Sequence, residues 1–313
     1  MRDTDNDSER TLGTRSRRRR PTAYPVGNGG LLSAWSLPWL ADSPLAPYLG
    51  LACTALVTTL LITINSTFNL LRNITRLQAT AFIIMQMAAP AVVGQLCAPM
   101  ASAAVVLCCM YLLFSIYGDR DATSTVFLIF FILSLCASWD VLFVALLPVF
   151  MLGCAQMRIL SLRSISAMLI GTVTPWIILT GFGIVDISSI KWPQLQETTQ
   201  SEKFNLPRVA AVSLSAFVTV AAWLQNLMKY LTYNAHSRAM LSMVTVLSLT
   251  VIILGLCNLS NLYASLPLLN VCAALQLGHL FGVVHTRPKS YIAILCVFLP
   301  FILLTIWVTI LCI

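Results

Sequence analysis

Apolar stretches close to the ~20 residues needed to cross a bilayer return along almost the whole chain, and this feature limits the fold more than any other. They lie at about residues 47–66, 79–98, 101–117, 124–139, 141–155, 165–185, 208–225, 240–257, 266–284 and 290–313. None shows the alternation of a half-buried strand. Lipid admits only helices or closed barrels, and barrel strands are shorter and alternate polar with apolar residues. The reading is therefore all-α: a polytopic transmembrane helical bundle of ten or eleven membrane helices joined by short loops. Composition agrees, since 58% of the 313 residues are hydrophobic and 10% charged. A soluble domain carries about 25% charged residues, so the polar surface that would cover a water-soluble body of this size is missing.

The net charge of +8 is unevenly distributed. Arg2, Arg10, Arg15 and Arg17–Arg20 make residues 1–24 a basic, polar tail, which we read as disordered and cytoplasmic. Such a run also fits nucleic acid, but ahead of membrane segments it serves to hold the tail at an anionic lipid surface, so no nucleic-acid partner is expected. The stretch Pro21–Gly30 is rich in Pro, Gly and Asn, unlike the apolar core of a secretory leader. Residues 25–313 then form a single transmembrane domain.

Segments 124–139 and 141–155 are short and separated by Trp139 and Asp140, which fits either one long helix or a tight hairpin. With the hairpin, the loops after the odd-numbered segments hold Arg72, Arg76, Arg120, Arg158, Arg163, Lys229, Arg238, Arg287 and Lys289. The alternate loops hold Asp140, Asp186, Glu197 and Glu202 against Lys191 and Lys203, with Arg208 at a helix start. The positive-inside rule produces this bias, so the hairpin is preferred and the basic side is placed in the cytoplasm. A cytoplasmic tail then requires one further crossing. The stretch 25–41, with Leu31, Leu32, Trp35, Trp39 and an interrupting Pro38, is the segment available, either as a weak crossing or as an interfacial helix. Residues 186–207 form the one sizeable external loop.

The run Asn65 to Asn69 and Arg72, then Tyr117-Gly118-Asp119, the hairpin broken at Trp139-Asp140, Ser161-Leu162-Arg163-Ser164 and Gly171-Thr172-Val173-Thr174-Pro175-Trp176 form an ordered set. Over about residues 50–185 this set resembles a family of uncharacterised polytopic inner-membrane proteins of the Bacteroidota. The resemblance implies a bacterial inner-membrane, multi-pass architecture without an assigned chemistry. The same order is similar to part of the membrane half of lipid-dependent glycosyltransferases, a likeness at fold level only.

Chemistry has few places to sit. The ten cysteines all lie in or beside apolar segments, no C-x-x-C occurs, and His236, His279 and His285 lack ligand spacing, so no metal site is expected. Phosphate loops, a G-x-S-x-G elbow and H-E-x-x-H are missing, and no cofactor is expected. Arg158 and Arg163 flank a short basic turn and are suited either to gripping a lipid phosphate or to orienting the chain by charge. Asp42 and Asp140 fall on the external side, where a lipid-linked transferase would need a carboxylate base; helix capping is the ordinary alternative. In segment 266–284, Asn270, Gln276 and His279 are polar residues that could line a path or bridge helices. Ala274, Gly278 and Gly282 recur there at four-residue spacing, the pattern that brings two helices into backbone contact, within the bundle or with a partner in the membrane.

The sequence thus points to a non-enzymatic membrane scaffold or envelope-assembly subunit whose constant partners are membrane lipids. A carrier for a small solute or lipid is the first alternative, and a transferase using a lipid-linked donor the second.

Overall fold

The computed structural model describes residues 46–68, 77–88, 97–138, 140–183, 206–228, 233–257, 262–282 and 288–312. They form α1 (Ala46–Phe68), α2 (Leu77–Met87), α3 (Cys97–Ser115), α4 (Thr123–Ala137), α5 (Val141–Gln156), α6 (Leu162–Gly181), α7 (Leu206–Met228), α8 (Ala235–Cys257), α9 (Leu262–Gly282) and α10 (Pro288–Cys312). No strand occurs among the described residues. Each expected apolar segment corresponds to one helix, and the fold is all-helical. Four helices are long and apolar enough to cross a membrane: Tyr48–Phe68 of α1, Leu162–Gly181 of α6, Val209–Met228 of α7 and Ala235–Leu256 of α8. The tail, the 25–41 stretch, Asp42 and the 186–205 part of the external loop lie outside the described residues.

Two segments differ from a simple crossing. The run 79–98 reads as continuous in sequence, yet α2 spans 11 residues and ends at Met87, with Ala88 in a turn. Pro90 follows shortly, and a proline disfavours helix at the residue before it while lacking the N–H a helix requires. Residues 124–155 form two helices rather than one. Asp140 is extended at φ −132°, ψ 126° and its carboxylate accepts the Leu142 N–H at 3.0 Å, so the chain stops one helix and caps the next. At 15 and 16 residues, α4 and α5 are each about 23 Å long, short of a ~30 Å hydrocarbon core.

Outside and inside are inverted relative to a soluble protein. Leu169, Ile170, Val173 and Ile177 of α6 and Leu295, Leu299, Leu303, Ile306 and Ile310 of α10 are exposed. Gln78, Gln86, Ser215, Asn226, Ser248, Asn270, Gln276 and His279 are buried. Hydroxyls on outward faces fold back on their own helix: Thr63 donates to the Thr59 carbonyl, Thr174 to that of Ile170 and Thr309 to that of Thr305. Where no water competes, this is how a hydroxyl is satisfied on a lipid-facing surface.

Ring contacts and backbone bonds assign the helix ends. Phe68 meets Tyr111 and Phe114 edge-on, placing the ends of α1 and α3 together. Gly118 N–H donates to the Met157 carbonyl at 3.1 Å, joining the turns after α3 and α5. Tyr117 meets His236 and Tyr233 meets His279, which brings the start of α8 and the end of α9 to the same end. Arg120, Arg158 and Arg163 are exposed there. Asp140 lies at the other end, since α4 and α5 run antiparallel between them. Among the described residues, Arg120, Arg158 and Arg163 thus share one end of the bundle and Asp140 lies at the other.

The residues that carried the family resemblance have local structural roles. Ser161 caps α6, accepting from the Ser164 N–H at 3.1 Å, and the Ser164 hydroxyl donates to the Ile159 carbonyl at 3.1 Å. Arg158 occupies the left-handed region at φ 60° as the residue just past the cap of α5. Ile159 N–H reaches back to the Cys154 carbonyl and Arg158 N–H to that of Ala155, a six-to-one and five-to-two pair that ends a helix in the position glycine usually takes. Gly171 lets α6 touch the backbone of α4, and the Ser134 hydroxyl donates to the Thr172 carbonyl across that contact.

Candidate functional site

Every residue of α9 from Ser265 to Phe281 is buried, and the helix packs against α2, α3, α7 and α8. A helix that is apolar nearly all round belongs at the centre of a bundle. Its few polar side chains therefore have no access to water and must find partners on neighbouring helices.

Asn270 finds two. Its amide NH2 donates to Gln86 Oε1 on α2 at 3.1 Å, and its Oδ1 accepts from the Ser215 hydroxyl on α7 at 2.8 Å. This relay ties three helices at one level. Eight residues along α9, Gly278 faces Gln78, which precedes Gln86 on α2 by the same eight residues. The two helices run antiparallel in matched register, and a Cβ on Gly278 would collide with the Gln78 side chain. Gly278 thus serves close packing inside the bundle.

Gln276 and His279 face α7, α8 and the connection between them. Gln276 NH2 donates to the Ser248 hydroxyl at 3.0 Å, and Asn226 NH2 donates to the Gln276 backbone carbonyl at 3.3 Å. The His279 ring lies 4.5 Å from that of Tyr233, edge to face. Gln276 Oε1, Asn226 Oδ1, Tyr233 OH, Gln86 Nε2 and both amide atoms of Gln78 have no hydrogen-bond partner among the described residues. All six atoms belong to neutral groups.

The other sequence candidates sit apart. Arg158 and Arg163 share two interlocked turns with Arg120, whose carbonyl accepts the Ser161 hydroxyl at 3.5 Å. Asp140 is half-buried at the opposite end. No group of three His, Cys, Asp or Glu side chains is arranged to hold a metal ion among the described residues.

Desolvation raises the Asp140 pKa, and the Leu142 N–H bond partly opposes the shift. A carboxyl whose folded pKa lies above its unfolded value binds more protons when folded. Its favourable contribution is present below the ordinary value of ~3.9 and is lost as pH rises through the folded pKa. Asp140→Asn keeps the capping oxygen and removes the charge, so we expect stability at pH 7 to hold or rise and the pH dependence to flatten. Asp140→Ala loses the cap, at a cost of about 1 kcal/mol. Thermal unfolding of the three proteins in detergent across the acid range checks both expectations.

Sequence reasoning identified Asn270, Gln276 and His279 but not their partners Gln78, Gln86, Ser215, Asn226 and Ser248. A signal was present: Gln78/Gln86 and Asn270/Gly278 have equal spacing on two apolar segments. The chain matches no protein-family model, no characterised protein and no solved structure.

Proposed function

We propose that the chain is a non-enzymatic, multi-pass integral protein of the bacterial inner membrane, a scaffold or envelope-assembly subunit with its arginine-bearing end and N-terminal tail in the cytoplasm. The observation that carries this reading is the inverted polarity, apolar faces outward and amides inward, joined to the gathering of Arg120, Arg158 and Arg163 at one end. Positive charge retained on one side of a bundle is what membrane insertion leaves behind. The close backbone contact at Gly171 and the tight packing of Gly278 on the Gln78 side chain suit a rigid body that partners can dock on within the bilayer.

Cysteine labelling from each face tests it, with single cysteines at Arg120, Asp140 and Arg163 on a cysteine-free background. Arg120→Cys and Arg163→Cys should react with an impermeant maleimide only in inverted vesicles, and Asp140→Cys only in right-side-out vesicles. The opposite pattern would overturn the orientation, and equal labelling from both sides would overturn the crossing itself.

A specific observation favours the carrier reading as a second one. Polar side chains from α2, α7, α8 and α9 converge in the bundle interior with hydrogen-bonding capacity left over. The transferase reading gains nothing from Asp140, whose carboxylate is engaged at the start of α5.

A further inference from the structure

Two amide groups beside the last turns of α9 are held in one orientation each. The Gln276 backbone carbonyl can only accept, so Asn226 must turn its NH2 toward it, and Asn226 Oδ1 is left over. The Ser248 hydroxyl donates to the Thr245 carbonyl at 2.8 Å and therefore accepts from the Gln276 NH2, which leaves Gln276 Oε1 over. Gln276 is fully buried and Asn226 is 2% exposed. The Tyr233 hydroxyl, on the connection leading into α8, is a third oxygen without a partner among the described residues. Burial pushes its phenol above the usual range, so it stays neutral. An acceptor left unmatched in such surroundings destabilises the fold, and a donor supplied from outside the chain would recover that loss.

We infer that Gln276, Asn226 and Tyr233 form a binding site, between α7, α8 and α9, for a small uncharged solute rich in hydrogen-bond donors. The charge of the solute follows from the surroundings. An anion would meet two fixed carbonyl oxygens. A cation would enter the end of the bundle that carries Arg120, Arg158 and Arg163, and α7, α8 and α9 contain no carboxylate to offset them. A neutral molecule with N–H or O–H groups, of the primary-amide or urea type, satisfies the free carbonyls without either repulsion. This goes beyond the scaffold reading and does not depend on which end faces the cytoplasm.

Acetamide and N,N-dimethylacetamide share a carbonyl and a reporter methyl group, but only acetamide has N–H donors. Saturation-transfer NMR with each, on the full chain in detergent and against empty micelles, tests the site. A saturable acetamide signal that urea displaces, with none from the dimethyl compound, is expected. The Asn226→Leu/Gln276→Leu variant should weaken acetamide binding at least tenfold. Tyr233→Phe removes one hydroxyl and keeps the ring against His279, so it should cause a smaller loss with unchanged helix content. It decides the matter if the double variant does not fold. Equal signals from the two amides, no saturable signal, an acetamide signal unchanged in a folded variant, or displacement by potassium chloride but not by urea would each overturn the proposal. None of these results bears on the labelling pattern of the vesicles.

Discussion

Substituting Gly171 should separate α4 from α6 and destabilise the bundle strongly. A Cβ at this position would sit 2.7 Å from the Phe127 carbonyl oxygen, 3.2 Å from the Phe130 Cβ and 3.3 Å from the Phe131 nitrogen. Two of those atoms are backbone, so relief requires moving a helix. Retreat of α4 would also stretch the Ser134 hydroxyl away from the Thr172 carbonyl. Overpacking in a close-packed interior costs ~1–3 kcal/mol and more where nothing can yield, so Gly171→Ala should fall in that range and Gly171→Leu above it. Gly278 supplies a second case. Its obstacle is Cγ of the buried Gln78, near the root of that side chain rather than at its far end, so Gly278→Ala should also be costly, and Gln78→Ala should remove most of that cost. Thermal unfolding in detergent ranks the variants; a Gly171→Ala protein as stable as the parent would refute the assigned contact.

Asn270→Leu is the second large expectation. Leucine keeps the branched shape of asparagine with somewhat greater bulk, so the cost is chiefly polar: the Ser215 hydroxyl loses its acceptor and Gln86 Oε1 its donor. Each stranded group costs ~1–3 kcal/mol. Interhelical hydrogen bonds in membranes average only about 0.6 kcal/mol, because groups left behind often find other partners. Between these limits we expect a loss of roughly 2–4 kcal/mol. The test lies in the partners. Adding Ser215→Ala and Gln86→Leu to Asn270→Leu removes the stranded groups and should restore most of the stability, since deleting a whole buried polar set is far less costly than deleting one member. If the triple variant were less stable than the single one, the relay would not be the source of the effect.

The break between α4 and α5 was legible because Asp140 is a strong cap signal between two apolar runs, and it puts Asp140 at the end opposite Arg120, Arg158 and Arg163. The partner-finding of Asn270 was not. Gln86 lies 184 positions away along the chain, and nothing local to either residue says that the two face one another. Arg158 was legible as a charge but not as a left-handed helix end, because glycine is the usual marker for that conformation and is absent there. The Ser161–Ser164 motif caps α6, a local device that any helix start can use. The end of α2 at Met87 falls shortly before Pro90, although the apolar run 79–98 continues past it.

Sequence alone determined the class of this protein: lipid-length apolar runs and sparse charge give an all-helical fold with helices long and apolar enough to cross a membrane, because solvation of side chains by lipid or water depends on composition and order along the chain. Tertiary structure alone decided that α9 is the central helix and that its amides are buried among polar side chains of α2, α7 and α8. Which apolar helix faces lipid and which faces its neighbours is a matter of packing. Helices that are apolar on every side carry no moment to announce it, and only the meeting of small residues and polar partners across the bundle makes the choice.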